Sequence, residues 1–293
     1  MHRSGFIALI GRPNVGKSTL LNALVGEKVA IISDRPQTTR NQIRAVLTRP
    51  HFQAIFIDTP GLHKPKHMLG STMVQVARNT MQEVDLIFFL VEANEPPGPG
   101  DQYISETLAQ VSSPKFLILN KIDLVKQGRL EEIRKLYQNL CPFKGIFAIS
   151  ALNQVALDPL LDAIIDYLPE GPQYYPPDMV TDQPERFIAA EIIREKVIHL
   201  TRQEIPFSIA VVIEEMKPRD SGNLLDIRAE IFVERKSQVG IVVGKGGLLL
   251  KEAGSRARQE LEALFGQKIF LDLRVKVKRD WRNREDELRR LGY

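Results

Sequence analysis

The chain has 293 residues, 43% of them hydrophobic and 26% charged, with 19 Gly and 18 Pro, which excludes a disordered chain and a collagen-like repeat. The formal net charge is +4, too mild to demand a polyanionic partner, but it is unevenly spread: +3 over residues 1–168, −5 over 169–227 and +6 over 228–293. A basic block of that kind marks a nucleic-acid or membrane-surface face. The single cysteine, Cys141, can form no intrachain disulfide and reads as a small core residue of a reducing cytosol. The longest apolar run, Leu86 to Val91, falls far short of the ~18 residues that span a bilayer, so a cytoplasmic protein is expected.

Along residues 1–168, short apolar runs alternate with amphipathic stretches. Phe6–Ile10, Ala54–Ile57, Leu86–Val91, Phe116–Leu119 and Gly145–Ile149 have the length and β-branched or aromatic content of strands buried on both faces. Ser18–Leu24, Thr72–Gln82, Tyr103–Val111, Leu130–Leu140 and Leu157–Tyr167 read as helices between them. The alternation predicts an α/β domain with a mostly parallel, doubly wound sheet. Residues 169–184 carry five prolines and read as a linker. From 185 to 293 the pattern changes to a helix near 186–200, strands over Phe207–Met216 and Leu225–Glu234, a helical turn at Ser237–Val243, a helix over Leu248–Phe265, a strand over Ile269–Val277 and a polar tail. That order, α-β-β-α-α-β, predicts a separate α+β domain.

The strongest motif is Gly11-Arg12-Pro13-Asn14-Val15-Gly16-Lys17-Ser18, followed by Thr19. It fits a phosphate-binding loop and lies where one belongs, after a buried strand and at the start of a helix, so that backbone N–H groups and the helix N-terminus face an anion. Lys17 would meet the β- and γ-phosphates and Ser18 would ligand Mg²⁺. One strand later, Asp58-Thr59-Pro60-Gly61 places an acid for Mg²⁺ and a glycine N–H for the γ-phosphate. Asn120-Lys121-Ile122-Asp123 then decides the base: the Asp123 carboxylate can accept from the N1–H and 2-amino group of guanine, whereas adenine offers it a lone pair at N1. Ser150-Ala151-Leu152 would close the base pocket with backbone N–H groups.

In this order and spacing the motifs resemble those of the translation-factor-related small GTPases, and Pro36-Gln37-Thr38-Thr39-Arg40 resembles the switch I segment of the Era family. The resemblance implies a switch threonine on Mg²⁺ and the γ-phosphate; Thr39 is the first candidate and Thr38 its alternative. With Lys17 and Gly61, Thr39 makes up the catalytic set. Leu62 follows Gly61, where Ras-like sites carry a water-orienting glutamine, and an aliphatic side chain cannot orient water. Unassisted hydrolysis should therefore be slow, on the order of 10⁻⁴–10⁻² s⁻¹. In related GTPases the residue matching Asn14 helps hold a potassium ion, so K⁺ joins GTP, GDP and Mg²⁺ as an expected cofactor. His63 and His67, with Pro65 between them, read as solvated polar residues.

The basic block contains Gly244-Lys245-Gly246-Gly247, which matches the GXXG loop of KH domains, where a tight turn between two helices clamps a single-stranded sugar-phosphate chain. Arg235, Lys236, Lys251, Arg256 and Arg258 flank it and suit phosphate contact. Ile241–Val243 and Leu248–Leu250 would anchor the two helices and line a base groove. Trp281 suits either base stacking or packing of the last helix.

Over its whole length the chain thus resembles the Era family: a G domain over 1–168, a linker over 169–184 and a type II KH domain with a basic tail over 185–293. The family implies a monomeric GTPase that binds the 3′ end of 16S ribosomal RNA, assists assembly of the 30S subunit and contacts the inner face of the cell membrane peripherally. The alternative is an RNA-binding scaffold whose G domain binds nucleotide with negligible turnover.

Overall fold

A computed structural model describes residues 2–35, 37–126, 128–201, 205–219 and 224–293. Pro36, included in the expected switch segment, lies outside the described residues. The chain divides into two compact units: Met1–Ile32, Thr39–Lys66 and Gly70–Asp182 form the first, and Ser33–Thr38, His67–Leu69 and Gln183–Tyr293 the second.

In chain order the first part comprises β1 (Arg3–Gly11), α1 (Lys17–Val25), β2 (Ile43–Arg49), β3 (Phe52–Asp58), α2 (Met68–Gln82), β4 (Leu86–Glu92), α3 (Pro99–Ala109), β5 (Lys115–Asn120), α4 (Leu130–Gln138), β6 (Gly145–Ala148) and α5 (Leu157–Ile164). Six strands form one sheet in the order β2-β3-β1-β4-β5-β6. All neighbours run parallel except β2 and β3, which are antiparallel. Because successive side chains alternate between faces, each central strand serves two cores. Ile87, Phe89 and Val91 of β4 pack with Ala77, Met81, Ile104, Leu108, Ile133 and Tyr137 from α2, α3 and α4. Phe88, on the opposite face, stacks between Phe56 and Phe116 at centroid distances of 6.1 and 5.9 Å.

The strands and helices expected over residues 1–168 all form, and β2 is added to them. Its Ile43-Arg44-Ala45-Val46-Leu47 run has polar residues on one side only, as an edge strand allows. The Pro-rich segment forms no helix and is fastened to the first unit. Val46 N–H of β2 donates to Val180 O at 2.8 Å. The Gln53 side chain accepts from the N–H groups of Tyr174 and Tyr175 and donates to Tyr175 O.

The second unit contains α6 (Glu185–Leu200), α7 (Ile205–Ser208), β7 (Ala210–Pro218), β8 (Leu224–Val233), α8 (Lys236–Val243), α9 (Leu248–Phe265), β9 (Lys268–Val277) and α10 (Glu285–Arg290). Its sheet runs β7-β8-β9, with β7–β8 antiparallel and β8–β9 parallel. One core joins Ile192, Ile193 and Val197 of α6 to Ile227, Ala229 and Ile231 of β8 and Ala253, Ala257 and Leu261 of α9. The tail read as polar is folded. Trp281 is fully buried, donates Nε1–H to Ser208 O at 3.0 Å and stacks on Tyr293 with centroids 5.7 Å apart. Its base-stacking alternative is thereby excluded, because the ring has no accessible face.

Candidate functional site

In an open α/β sheet, ligands sit outside the carboxyl ends of the strands, where the strand order reverses. Here β1 lies between β3 and β4, and the motifs leave the carboxyl ends of β1, β3, β5 and β6. The P-loop turns on two left-handed residues, Asn14 at φ 67° and Gly16 at φ 98°. Gly16 is required a second way: a Cβ there would strike the Asn120 amide. The Asn120 side chain donates to Val15 O at 2.9 Å and accepts Ala151 N–H at 3.0 Å, so it ties the P-loop to the Ser150-Ala151-Leu152 turn. Ser150 Oγ donates to Asp123 Oδ1 at 2.5 Å, which fixes the carboxylate. Lys121, left-handed at φ 65°, ion-pairs with Glu92 at the end of β4. Leu152 is largely exposed and Val15 buried. Arg12 donates to the buried Asp101 of α3 at 2.9 Å, which anchors the start of the loop. Glu92 and Asp101 carry no motif of their own, and only the fold brings them to the site.

At the other end, Ser18, Thr39 and Asp58 converge. Ser18 Oγ lies 2.6 Å from Asp58 Oδ2 and 3.0 Å from Thr39 Oγ1, and Thr39 Oγ1 donates to Asp58 Oδ2 at 3.1 Å. Thr38 differs, because its hydroxyl donates to Arg35 O at 2.6 Å. The geometry favours Thr39 over Thr38. Asp58 is fully buried, and its Oδ1 has no hydrogen-bond partner among the described residues. Burial raises the Asp58 carboxyl above its ordinary range, against the pull of Lys17, Ser18 and Thr39. Burial likewise lowers the Lys17 ammonium to about 8, against the attraction of Asp58. Lys17 spends its protons on Gly11 O at 3.3 Å and Arg12 O at 2.9 Å. A carboxylate with one orphaned oxygen and two hydroxyls on the other fits a hard divalent cation, and a desolvated ammonium beside a nest of N–H groups fits phosphate.

Thr59 Oγ1 donates to Leu9 O at 2.8 Å, and Pro60 is buried beside it. Gly61 approaches the P-loop so closely that a Cβ would stand 2.6 Å from Pro13 N. Leu62 is 2% exposed and belongs to the core under α2 and α3, while its N–H donates to Gly11 O at 3.1 Å. His63, expected in solvent, is half-buried with Nδ1 2.8 Å from Gly61 O.

In the second unit, Gly244, Gly246 and Gly247 all take positive φ, at 74°, 60° and 79°. A Cβ on Gly244 would lie 2.7 Å from Leu249 Cβ, whereas Gly246 and Gly247 face open space. The requirement for glycine at the last two is therefore conformational, and the loop's outer side is accessible. Val242 is fully buried and anchors α8, but Ile241 and Leu248 are exposed. A groove between α9 and β9 is lined by Leu250, Lys251, Gly254, Arg258, Phe270 and Leu273. Gly254, Phe270 and Leu273 carry no sequence signal for it. Arg235, Lys236, Lys245, Lys251 and Arg258 form no salt bridge among the described residues, whereas Arg256 pairs with Glu252 at 2.7 Å.

Residues 6–121 match the model of the 50S ribosome-binding GTPase family, and residues 204–282 match that of the KH domain. The chain is 53% identical over 292 residues to GTPase Era of Alkaliphilus metalliredigens, covering all of this chain and 99% of that protein. It belongs to the Era family of GTPases. Two solved structures agree with it at a TM-score of 0.96 and 44% identity. One is a substituted Aquifex aeolicus Era bound to GDP.AlF4⁻, covering 99% of each chain. The other is Era in complex with MgGDPNP and nucleotides 1506–1542 of 16S ribosomal RNA, covering 100% of this chain and 99% of that one. The expected fold class, a P-loop G domain followed by a KH domain, and the expected GTPase activity both hold for this Era-family chain. Among the described residues, no helix is long and apolar enough to cross a membrane.

Proposed function

We propose that this chain is a GTP-hydrolysing switch that binds the 3′ end of 16S ribosomal RNA through its KH domain and assists assembly of the 30S subunit. The observation that carries the reading is the end-to-end agreement with Era in complex with MgGDPNP and a fragment of 16S ribosomal RNA. The residues fit those ligands. Gly11 to Thr19 would wrap the phosphates, with Lys17 leaving the Gly11 and Arg12 carbonyls for the β- and γ-oxygens. Asp123, held by Ser150, would accept from guanine; Lys121 and Ile122 would lie along the base, and Ser150 to Leu152 would close the pocket. Ser18, Thr39 and Asp58 would hold Mg²⁺, which supplies charge neutralisation at the phosphates. Gly244 to Gly247 would admit the RNA backbone, with Arg235, Lys236 and Lys251 at the phosphates and the α9–β9 groove receiving bases.

Hydrolysis then depends on what the chain holds rigid around the γ-phosphate. Leu62 cannot direct a water, because its side chain is in the core and its N–H is spent on Gly11. Backbone groups at Thr39 and Gly61 remain, and a potassium ion near Asn14 is part of the same proposal. The test is GTP and ATP turnover, in sodium and in potassium, with and without an oligonucleotide of the ribosomal 3′ end. Wild type should turn over GTP alone, faster with potassium and with RNA. Lys17→Ala should lose turnover, and Gly246→Asp should lose RNA affinity while keeping basal turnover. Turnover indifferent to RNA would break the coupling, and equal rates in both salts would remove potassium. The chain is placed in the cytoplasm with peripheral contact to the inner face of the membrane; recovery of the protein only in the soluble fraction of gently lysed cells would remove that contact.

A further inference from the structure

We infer that His63 is a positioning residue for GTP hydrolysis, holding the Gly61–Leu62 peptide in one orientation against the P-loop. Glycine is the residue least able to fix its own peptide planes, since it populates both signs of φ with similar ease. At Gly61 both polar atoms of the following peptide are nevertheless bonded. Leu62 N–H donates to Gly11 O at 3.1 Å, and Gly61 O lies 2.8 Å from His63 Nδ1. A carbonyl oxygen only accepts, so Nδ1 carries the proton. The other ring nitrogen packs toward the start of α2, 3.4 Å from where a Cβ on Gly70 would stand, so the ring is wedged between the switch loop and the helix. Gly61 itself touches Pro13 of the P-loop.

Three constraints therefore meet at one glycine: contact with Pro13, the Leu62 N–H and the His63 ring. The first two come from the P-loop and need no particular side chain at 63. The third holds the opposite end of the peptide whose N–H the second holds, so the two bonds together oppose its rotation and, through the dihedral angles of Gly61, set the direction of the Gly61 N–H. In a site where Leu62 is buried, a peptide held in register does by backbone what a polar side chain after Gly61 would otherwise do. The inference rests on the reading that Gly61 faces the γ-phosphate.

The test uses the full chain and measures single-turnover GTP hydrolysis together with affinity for a fluorescent GTP analogue, for His63→Ala, His63→Phe and His63→Asn. An asparagine amide reaches about as far as Nδ1 and can donate to the same carbonyl. The hydrolysis rate should fall about tenfold to a hundredfold in His63→Ala and His63→Phe, with analogue affinity within about twofold of wild type, while His63→Asn stays within about threefold of the wild-type rate. Rates in His63→Ala and His63→Phe equal to wild type would overturn the inference. So would His63→Asn as slow as His63→Ala, or a loss of affinity as large as the loss of rate. Lys17→Ala measured alongside separates the two levels: if it still binds and hydrolyses GTP, the reading of the site fails, and if only the His63 variants are unaffected, this inference alone fails.

Discussion

Two adjacent threonines show how far a residue's role is set by one hydrogen bond. Thr38 and Thr39 are chemically identical and both buried, yet Thr38 Oγ1 is spent on Arg35 O while Thr39 Oγ1 stands between Ser18 and Asp58. Thr39→Ala should therefore lower magnesium-dependent GTP hydrolysis about a hundredfold, the usual cost of removing one group aimed at developing charge. Thr38→Ala should stay within about threefold in the same assay; equal losses in both would show that the hydroxyl arrangement does not carry the difference. The switch segment supplies both residues and puts Thr39 first by resemblance alone, because the physical ground for that order lies in which carbonyl is near. His63 was illegible for the same reason. Pro65 argues correctly against a metal-binding helix there, but nothing local predicts that the ring turns back to Gly61 O. Leu62, by contrast, was legible in what it cannot do, and its burial adds that its backbone is already committed.

At the scale of elements, the strands of the parallel sheet were readable because burial on both faces writes itself as continuous apolar runs, from Phe6–Ile10 to Phe116–Leu119. The edge strand β2 lacks that signature, and its pairing with β3 is decided by register across the sheet. The tail is the clearest case of tertiary information. Trp281 sits among charged residues in the sequence, and its burial depends on the carbonyl of Ser208, 73 positions earlier, and on Tyr293 at the chain end. Trp281→Ala should destabilise the second unit by about 3–5 kcal/mol through the cavity and the unpaired carbonyl. Urea unfolding followed on that unit's transition measures this. A loss below about 1 kcal/mol would mean that the tail packs without contributing to the fold.

Across the whole molecule, the informative quantity is which cations are already paired. On the sheet of the second unit, Arg228 pairs with Glu215 at 3.0 Å, Arg274 with Asp272 at 3.1 Å and Arg219 with Asp226 at 2.8 Å. Around the GXXG loop and α9, Arg235, Lys236, Lys245, Lys251 and Arg258 make no salt bridge among the described residues. Within the +6 block seen in the sequence, Arg228 and Arg274 are thus already neutralised while the cations around the GXXG loop are not, a division that composition cannot show. Lys251 and Arg258 are seven residues apart on α9 and so share a face of the helix, the one that lines the groove. Free cations release counterions when they meet a polyanion; paired ones must first give up a carboxylate. Five free cations predict a slope of log affinity against log salt of about −3.5 for single-stranded RNA, at about −0.7 per contact. Replacing Lys245 and Lys251 together by Ala should reduce that slope by about 1.4 and weaken binding evenly across RNA sequences. Replacing Arg228 and Arg274 should leave it within about 0.3. Fluorescence anisotropy titrations at several salt concentrations measure both slopes, and an equal loss from either pair would mean that the two faces share the RNA.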